Sequence, residues 1–196
     1  MPIINHSDKK IILASNSPRR HQLLSEAGFD FTVKTMPDVD ESYPHDMVVN
    51  TVPEYLAIKK AEASRAFLEE CDLIITADTV VIQDDKIYGK PTGREDAIEI
   101  IKALAARKHS VITGVCLLTK SEKKSFSSLA NVYFAPITDD EIEYYVDKYE
   151  PYDKAGAYAI QEWIGHCKIE KIDGTYTNIM GLPMHDVYNA LQSIKF

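Results

Sequence analysis

No stretch of this chain is apolar for the length a membrane-spanning helix needs, so a helical anchor is not expected. Met1 to Lys9 carry no apolar core of the kind a secretory signal has, and cytoplasmic residence is the default expectation. Cysteine is scarce: Cys71, Cys116 and Cys167 are three in number, widely spaced and without a Cys-x-x-Cys pair. That excludes a disulfide framework and a zinc ribbon, and buried free thiols in a reducing compartment are expected. The six histidines show no His-x-x-x-His spacing. Gly-x-x-x-x-Gly-Lys-Ser/Thr and Gly-x-Gly-x-x-Gly are missing, which argues against a P-loop ATPase and a dinucleotide-binding dehydrogenase. There is no Gly-x-Ser-x-Gly elbow. Positive charge is also short, with 22 Lys and Arg against 30 Asp and Glu and a net charge of −8. Such a chain as a whole repels nucleic acids and anionic membranes. Any polyanion it binds must meet cations gathered in one place, with a divalent metal as the natural aid.

What is present points to such a gathering. Lys10 to Arg20 read as a short apolar strand, a small-residue turn and a helix start, with Ser17 as N-cap and Pro18 at the first helical position. Arg19 and Arg20 then fall in the first turn, where cations oppose the helix dipole. Beside free amides and the hydroxyls of Ser15 and Ser17 they suit a multiply charged anion, phosphate above all. A plain surface arginine pair is the alternative. Thr76-Ala77-Asp78-Thr79 lies inside an apolar run. A carboxylate there is expensive to bury unless it is paired, bound to metal or used as a base, with an aspartate that caps a neighbouring turn as the alternative. Gly89-Lys90-Pro91 holds a lysine in a stiff turn, and Lys59-Lys60 places adjacent lysines on a helix, so that only one can enter a cleft. Small residues alternate around Gly156 before Gln161, whose amide can read a base edge. Asp173 to Pro183 read as turn, loop and turn, either lining a cleft or merely connecting.

The pattern predicts a helix from Arg19 to Ala27 ended by Gly28, a strand at Phe29 to Lys34, and a polar loop with Asp38, Asp40 and Glu41. A helix from Pro53 to Glu70 and a strand from Leu73 to Ile82, buried on both faces, follow. A turn at Asp84 to Lys86 leads to a short strand at Ile87-Tyr88. Capping boxes at Thr92 and Thr138 open helices to Ala105 and Tyr149. Between them, strands at Val111 to Leu118 and Ser125 to Phe134 form a hairpin. Tyr152 to Gln161 read as loop and strand, Cys167 to Ile172 as a strand, and Met184 to Ile194 as the last helix. The expected class is α/β, with a mixed, twisted sheet in two lobes making up a single domain over residues 1–196.

In order, Ser15-Asn16-Ser17-Pro18-Arg19-Arg20, Ala77-Asp78-Thr79, Gly89-Lys90-Pro91, Lys154-Ala155-Gly156 and Gly181-Leu182-Pro183 resemble the motifs of the Maf family of nucleoside triphosphate pyrophosphatases. The resemblance runs from Leu13 to Pro183. It implies a fold related to inosine triphosphatase, a substrate between two lobes, and hydrolysis of a nucleoside triphosphate to the monophosphate and pyrophosphate with Mg²⁺, Mn²⁺ or Co²⁺. A homodimer is implied as well. Arg19, Thr79 and Gln161 match the branch acting on dTTP and UTP. The 7-methyl-GTP branch has tryptophan and glutamate where Arg19 and Gln161 stand. Glu162-Trp163 depart from the small residues common after that glutamine.

By this resemblance Ser15, Ser17, Arg20, Lys60 and Lys90 hold the phosphates. Glu41 and Asp78 place the metal, and Asp78 is the catalytic base. Arg19, Thr79 and Gln161 set substrate specificity, with CTP and modified pyrimidine nucleotides as further substrates. Two rivals stand beside this reading: a nucleotide-binding regulator of cell division, and a 7-methyl-GTP pyrophosphatase. An RNA-binding module is opposed by the net charge.

Overall fold

The three apolar residues Ile11–Leu13 form β1, buried along its whole length. In the computed structural model, which describes residues 8–196, β1 pairs in parallel with β2 (Thr32–Val33) and with β3 (Leu73–Gln83). Helix α1 (Pro18–Glu26) connects β1 to β2 and buries Leu23 and Leu24. After α2 (Val52–Ala63) comes β3, which turns back through Asp84 and Asp85, both at positive φ, into antiparallel β4 (Lys86–Tyr88). Helix α3 (Arg94–Leu104) leads to the long strands β5 (Lys108–Leu118) and β6 (Lys123–Phe134). Then follow α4 (Asp139–Tyr149), α5 (Trp163–Lys168), β7 (Ile169–Asp173), α6 (Tyr176–Ile179) and α7 (Met184–Leu191). The sheet has seven strands in the order β2-β1-β3-β5-β6-β7, with β4 paired to β3 off that path. It is mixed, as the alternation of helices with hairpins requires.

The chain divides into two compact units, and β3, β5 and β6 each contribute to both. The first unit comprises the residues up to Asp78, Thr113–Ser128 and Gly181–Phe196. One of its apolar clusters joins Ile12 and Ile74 of the sheet to Ala57 and Ala61 of α2 and to Phe67, Leu68 and Cys116. The second unit comprises Thr79–Ile112 and Leu129–Met180. There α3 and α4 pack Ile98, Ile101, Leu104, Ile142, Tyr145 and Val146 with Val111, Val132 and Phe134 of the strands.

Several expectations need correction. Phe29 to Lys34 give only a two-residue exposed strand, the sheet's edge beyond β1. The helix expected from Pro53 to Glu70 ends at Ala63. The Ser64 amide is shared between the carbonyls of Lys60 and Ala61, and the chain tightens into a 3₁₀ turn at Arg65–Glu69. The box at Thr92 does not form: Thr92 N and Oγ1 bond instead to Asp96, at 2.8 and 3.1 Å, and Gly93 caps α3. The box at Thr138 does form, through Glu141. Tyr152 to Gln161 hold no strand. They make two 3₁₀ turns around Gly156, whose φ of 71° breaks the period-two pattern. Cys167 lies in α5 and is exposed, whereas Cys71 and Cys116 are buried. Burial raises the thiol of Cys116 to about 12, so it is inert at neutral pH. The segment before the last helix contains the short helix α6, capped by Thr175, rather than turns alone.

Candidate active site

The turn after β1 gathers polar atoms because its residues are small. Ser15 is buried, and its Oγ accepts from Ser17 N and from Arg20 Nη1, both at 3.2 Å. Ser17 is the N-cap of α1, as expected, but its hydroxyl makes no capping bond; Pro18 follows, and no acid lies in the first turn. A helix start of this kind accepts negative charge.

Arg20 is held more firmly than a surface cation. Its Nε donates to Gly181 O at 2.7 Å and its Nη1 to Ala77 O at 2.8 Å, in addition to Ser15 Oγ. These three oxygens carry no formal charge. Burial pushes the guanidinium below its ordinary pKa, Asp78 pulls it back up, neighbouring Arg19 lowers it further and Glu41 raises it. The first unit thus fixes a positive charge in place and gives it two acids for surroundings.

Those acids meet at Lys60. Its Nζ stands 2.5 Å from Asp78 Oδ1 and 3.0 Å from Glu41 Oε1. The Asp78 side chain is 14% exposed and that of Glu41 57%, so one acid is recessed and the other faces water. Asp78 is placed by β3. Lys60 is placed by α2, which is tied to that strand where the buried Thr76 hydroxyl donates to Ala57 O at 2.7 Å. Glu41 belongs to a loop clasped by the other lysine. Lys59 Nζ bonds to Asp40 Oδ2 at 2.7 Å and to Ser42 O at 3.0 Å, and Asp40 also accepts from Ser42 N and Oγ. Lys59 thus ties α2 to the loop that carries Glu41. These bonds hold the Asp40 carboxyl well below its usual range, that of Lys59 foremost.

The first unit thus brings together Ser15, Ser17, Arg20, Glu41, Lys60 and Asp78, with Arg19 half-buried beside Arg20. The second unit carries Thr79, Lys90 and Gln161. Thr79 is half-buried next to Asp78 in β3. Lys90 is exposed beyond β4, in a segment steadied where Gly156 N donates to Gly89 O at 3.0 Å. Gln161 is half-buried, and its Oε1 is enclosed with no hydrogen-bond partner. Sequence reasoning missed the parts of Thr76, Lys59 and the Gly181 carbonyl. A buried threonine in an apolar strand was the only available hint for the first, and a backbone acceptor leaves none.

No group of three or more His, Cys, Asp or Glu able to enclose a metal occurs among the described residues. Two carboxylates drawn to one small cation nevertheless match the way Mg²⁺ is commonly held, by one or two carboxylates with phosphate oxygens and water completing the shell.

The sequence profile described as Maf-like protein matches residues 10–194. This chain belongs to the Maf family. Curated relatives match along nearly their whole length. A dTTP/UTP pyrophosphatase of Bacteroides thetaiotaomicron is 49% identical over 193 residues, which cover 98% of this chain and all of the relative. Another of that name, from Bacteroides fragilis, is 49% identical over 94% of this chain and 96% of its own. Among solved structures, the Ham1 protein of Staphylococcus aureus matches with a TM-score of 0.56 at 20% identity, over 95% of this chain and all of that one. This likeness places the Maf chain in the same α/β fold and goes no further.

Proposed function

We propose that this member of the Maf family is an enzyme, a nucleoside triphosphate pyrophosphatase that converts dTTP and UTP to the monophosphate and pyrophosphate with the help of a divalent cation. The observation that carries this reading is the meeting of Asp78 and Glu41 at one cation, close to the half-buried Arg20. Anion binding alone needs no acids; a hydrolase needs a base and a way to offset phosphate charge. The names of relatives at 49% identity supply the substrate class.

Arg20, Ser15 and Ser17 at the start of α1 hold the triphosphate, with Lys60 and Lys90 adding positive charge. Fixed in advance by three neutral oxygens, Arg20 needs little reorganisation when phosphate arrives. Asp78, the more recessed acid, orients a water and takes its proton as the water oxygen bonds to the α-phosphorus. The bond from that phosphorus to the oxygen bridging to the β-phosphate breaks, and pyrophosphate leaves with the bridging oxygen. When bound, Mg²⁺, Mn²⁺ or Co²⁺ neutralises developing charge on the phosphate oxygens, and Glu41 and Asp78 are the residues that would hold it. Lys60 holds the two carboxylates close to one another. Arg19, Thr79 and Gln161 select the nucleotide, and Gln161 offers a buried acceptor to the N3–H of thymine or uracil. CTP and modified pyrimidine nucleotides belong to the candidate substrate range.

A panel of canonical, pyrimidine-modified and 7-methylated triphosphates tests the reading, run with each of the three metals and with products identified. Monophosphate plus pyrophosphate from dTTP and UTP, dependent on metal, is the expected result. Binding without turnover would favour a nucleotide-sensing regulator, and preference for 7-methyl-GTP would reassign the branch. Residence in the cytoplasm and a homodimer accompany the proposal and call for fractionation and light scattering.

A further inference from the structure

Within the second unit, the turn that carries Gln161 is braced by charges that the proposed chemistry does not use. Glu162 N donates to Ala159 O at 3.1 Å, closing a turn with Gln161 at its third position. Glu162 is also the N-cap of α5, yet its side chain does not cap the helix. The carboxylate goes instead to the fully buried Tyr145, whose hydroxyl donates to Glu162 Oε2 and accepts from Ala159 N at 3.1 Å. One tyrosine therefore grips both ends of the turn. Lys154, itself buried, approaches Glu162 Oε1 at 3.4 Å and bonds to Asp153 at 2.7 Å. On the other side, α5 packs its backbone against the turn: a Cβ on Gly165 would overlap the Ile160 carbonyl. Burial and the bond to Glu162 hold the Tyr145 phenol well above its ordinary pKa, so it stays a donor. In the midst of this bracing, Gln161 Oε1 is enclosed without a partner. A buried acceptor is left that way only at a penalty, which a donor on a ligand would relieve.

We propose that Glu162 is a positioning residue for base selection: its carboxylate, gripped by Tyr145 and Lys154, fixes the turn that presents the Gln161 amide to thymine or uracil. This rests on the assignment of Gln161 to the base. Thymine and uracil bring an N–H at N3 to such an acceptor, while the matching ring nitrogen of adenine carries no hydrogen. Firm placement of the acceptor therefore converts directly into preference, because a loosened turn lets the amide swing to suit either edge.

The test reads the ratio of kcat/KM for dTTP to that for dATP. Glu162→Ala and Tyr145→Phe should each lower it about tenfold, the size expected from losing one well-placed polar contact, and chiefly through a higher KM for dTTP. Glu162→Gln keeps an acceptor for Tyr145 and should recover much of the ratio. Gln161→Ala should lower it as well, and adding Glu162→Ala to that variant should lower it no further. If Gln161→Ala lowers the ratio while Glu162→Ala and Tyr145→Phe do not, this proposal fails and the assignment of Gln161 stands. An unchanged ratio in Gln161→Ala overturns both. A lower melting temperature with both nucleotides slowed alike would make Glu162 a purely structural residue and overturn the proposal.

Discussion

The two units put their charges to opposite uses. In the first, Lys60 stands between Glu41 and Asp78, and Arg20 donates to the carbonyls of Gly181 and Ala77, so charged groups are gathered around one place. In the second, Lys154, Glu162 and Tyr145 satisfy one another and leave a neutral amide, Gln161, with an unmet acceptor. A triphosphate tail is the same in every nucleotide and calls for charge; a base differs by one N–H and calls for placement. On the proposed function, most phosphate contacts and the Gln161 contact with the base fall in different units, with Arg19 and Lys90 as the exceptions, and substitutions at Asp78, Arg20 and Glu162 should divide accordingly.

The largest effect belongs to Asp78. Asp78→Asn should fold normally and lower kcat for every nucleotide by about a thousandfold or more, as loss of a general base does. Steady-state kinetics with pyrophosphate detection checks this, and a parent-like rate would remove Asp78 as the base. Arg20→Lys keeps charge but loses the geometry that meets three oxygens. It should lower kcat/KM by about tenfold to a hundredfold, equally for purines and pyrimidines, mostly in KM. A selective effect on dTTP would blur the division between the units. Glu41→Gln should raise the metal concentration for half-maximal rate by about tenfold, measured by Mg²⁺ and Mn²⁺ titration.

Stability offers a smaller and independent probe. His109 is buried in the second unit, with its Nε2 2.8 Å from the Tyr158 hydroxyl and its Nδ1 without a partner. Burial lowers its pKa to about 4. The unfolded chain, with an ordinary histidine, binds the proton first as pH falls. Stability is therefore intact above the ordinary value and declines from about pH 6.5 towards pH 4, by roughly 3 kcal/mol in all. Thermal unfolding at pH 7 and pH 5 should show a lower melting temperature at pH 5, and His109→Gln should lessen the difference. The smallest change is expected for Lys59→Met, which frees the Asp40–Ser42 turn from an exposed ion pair. A few-fold loss in kcat/KM is anticipated, since exposed pairs contribute little on their own.

Much of this could be read without coordinates where one physical cause dominates. The run at Leu73 to Ile82 became a strand, Leu73–Gln83, buried everywhere but at Asp78 and Thr79, because its other residues favour burial. The Lys10 to Arg20 segment read correctly as strand, turn and helix start because the apolar run, serine and proline each favour a single role there. Reading failed where two patterns share letters. Alternation around Gly156 mimics a strand, but a left-handed glycine turns the chain instead. Thr92 satisfied the letters of a capping box, yet Asp96 offered its backbone a nearer partner. Contacts made by the backbone, such as Gly181 O on Arg20, have no trace in side-chain identity. The partner of Lys59, Asp40, could not be read because it lies in a loop whose path no periodicity predicts.

The most direct test of the central claim is hydrolysis of dTTP in ¹⁸O-labelled water with Mg²⁺. If Asp78 delivers water to the α-phosphorus, the label enters dTMP and the released pyrophosphate carries none. Label in pyrophosphate, or release of orthophosphate with dTDP, would contradict it.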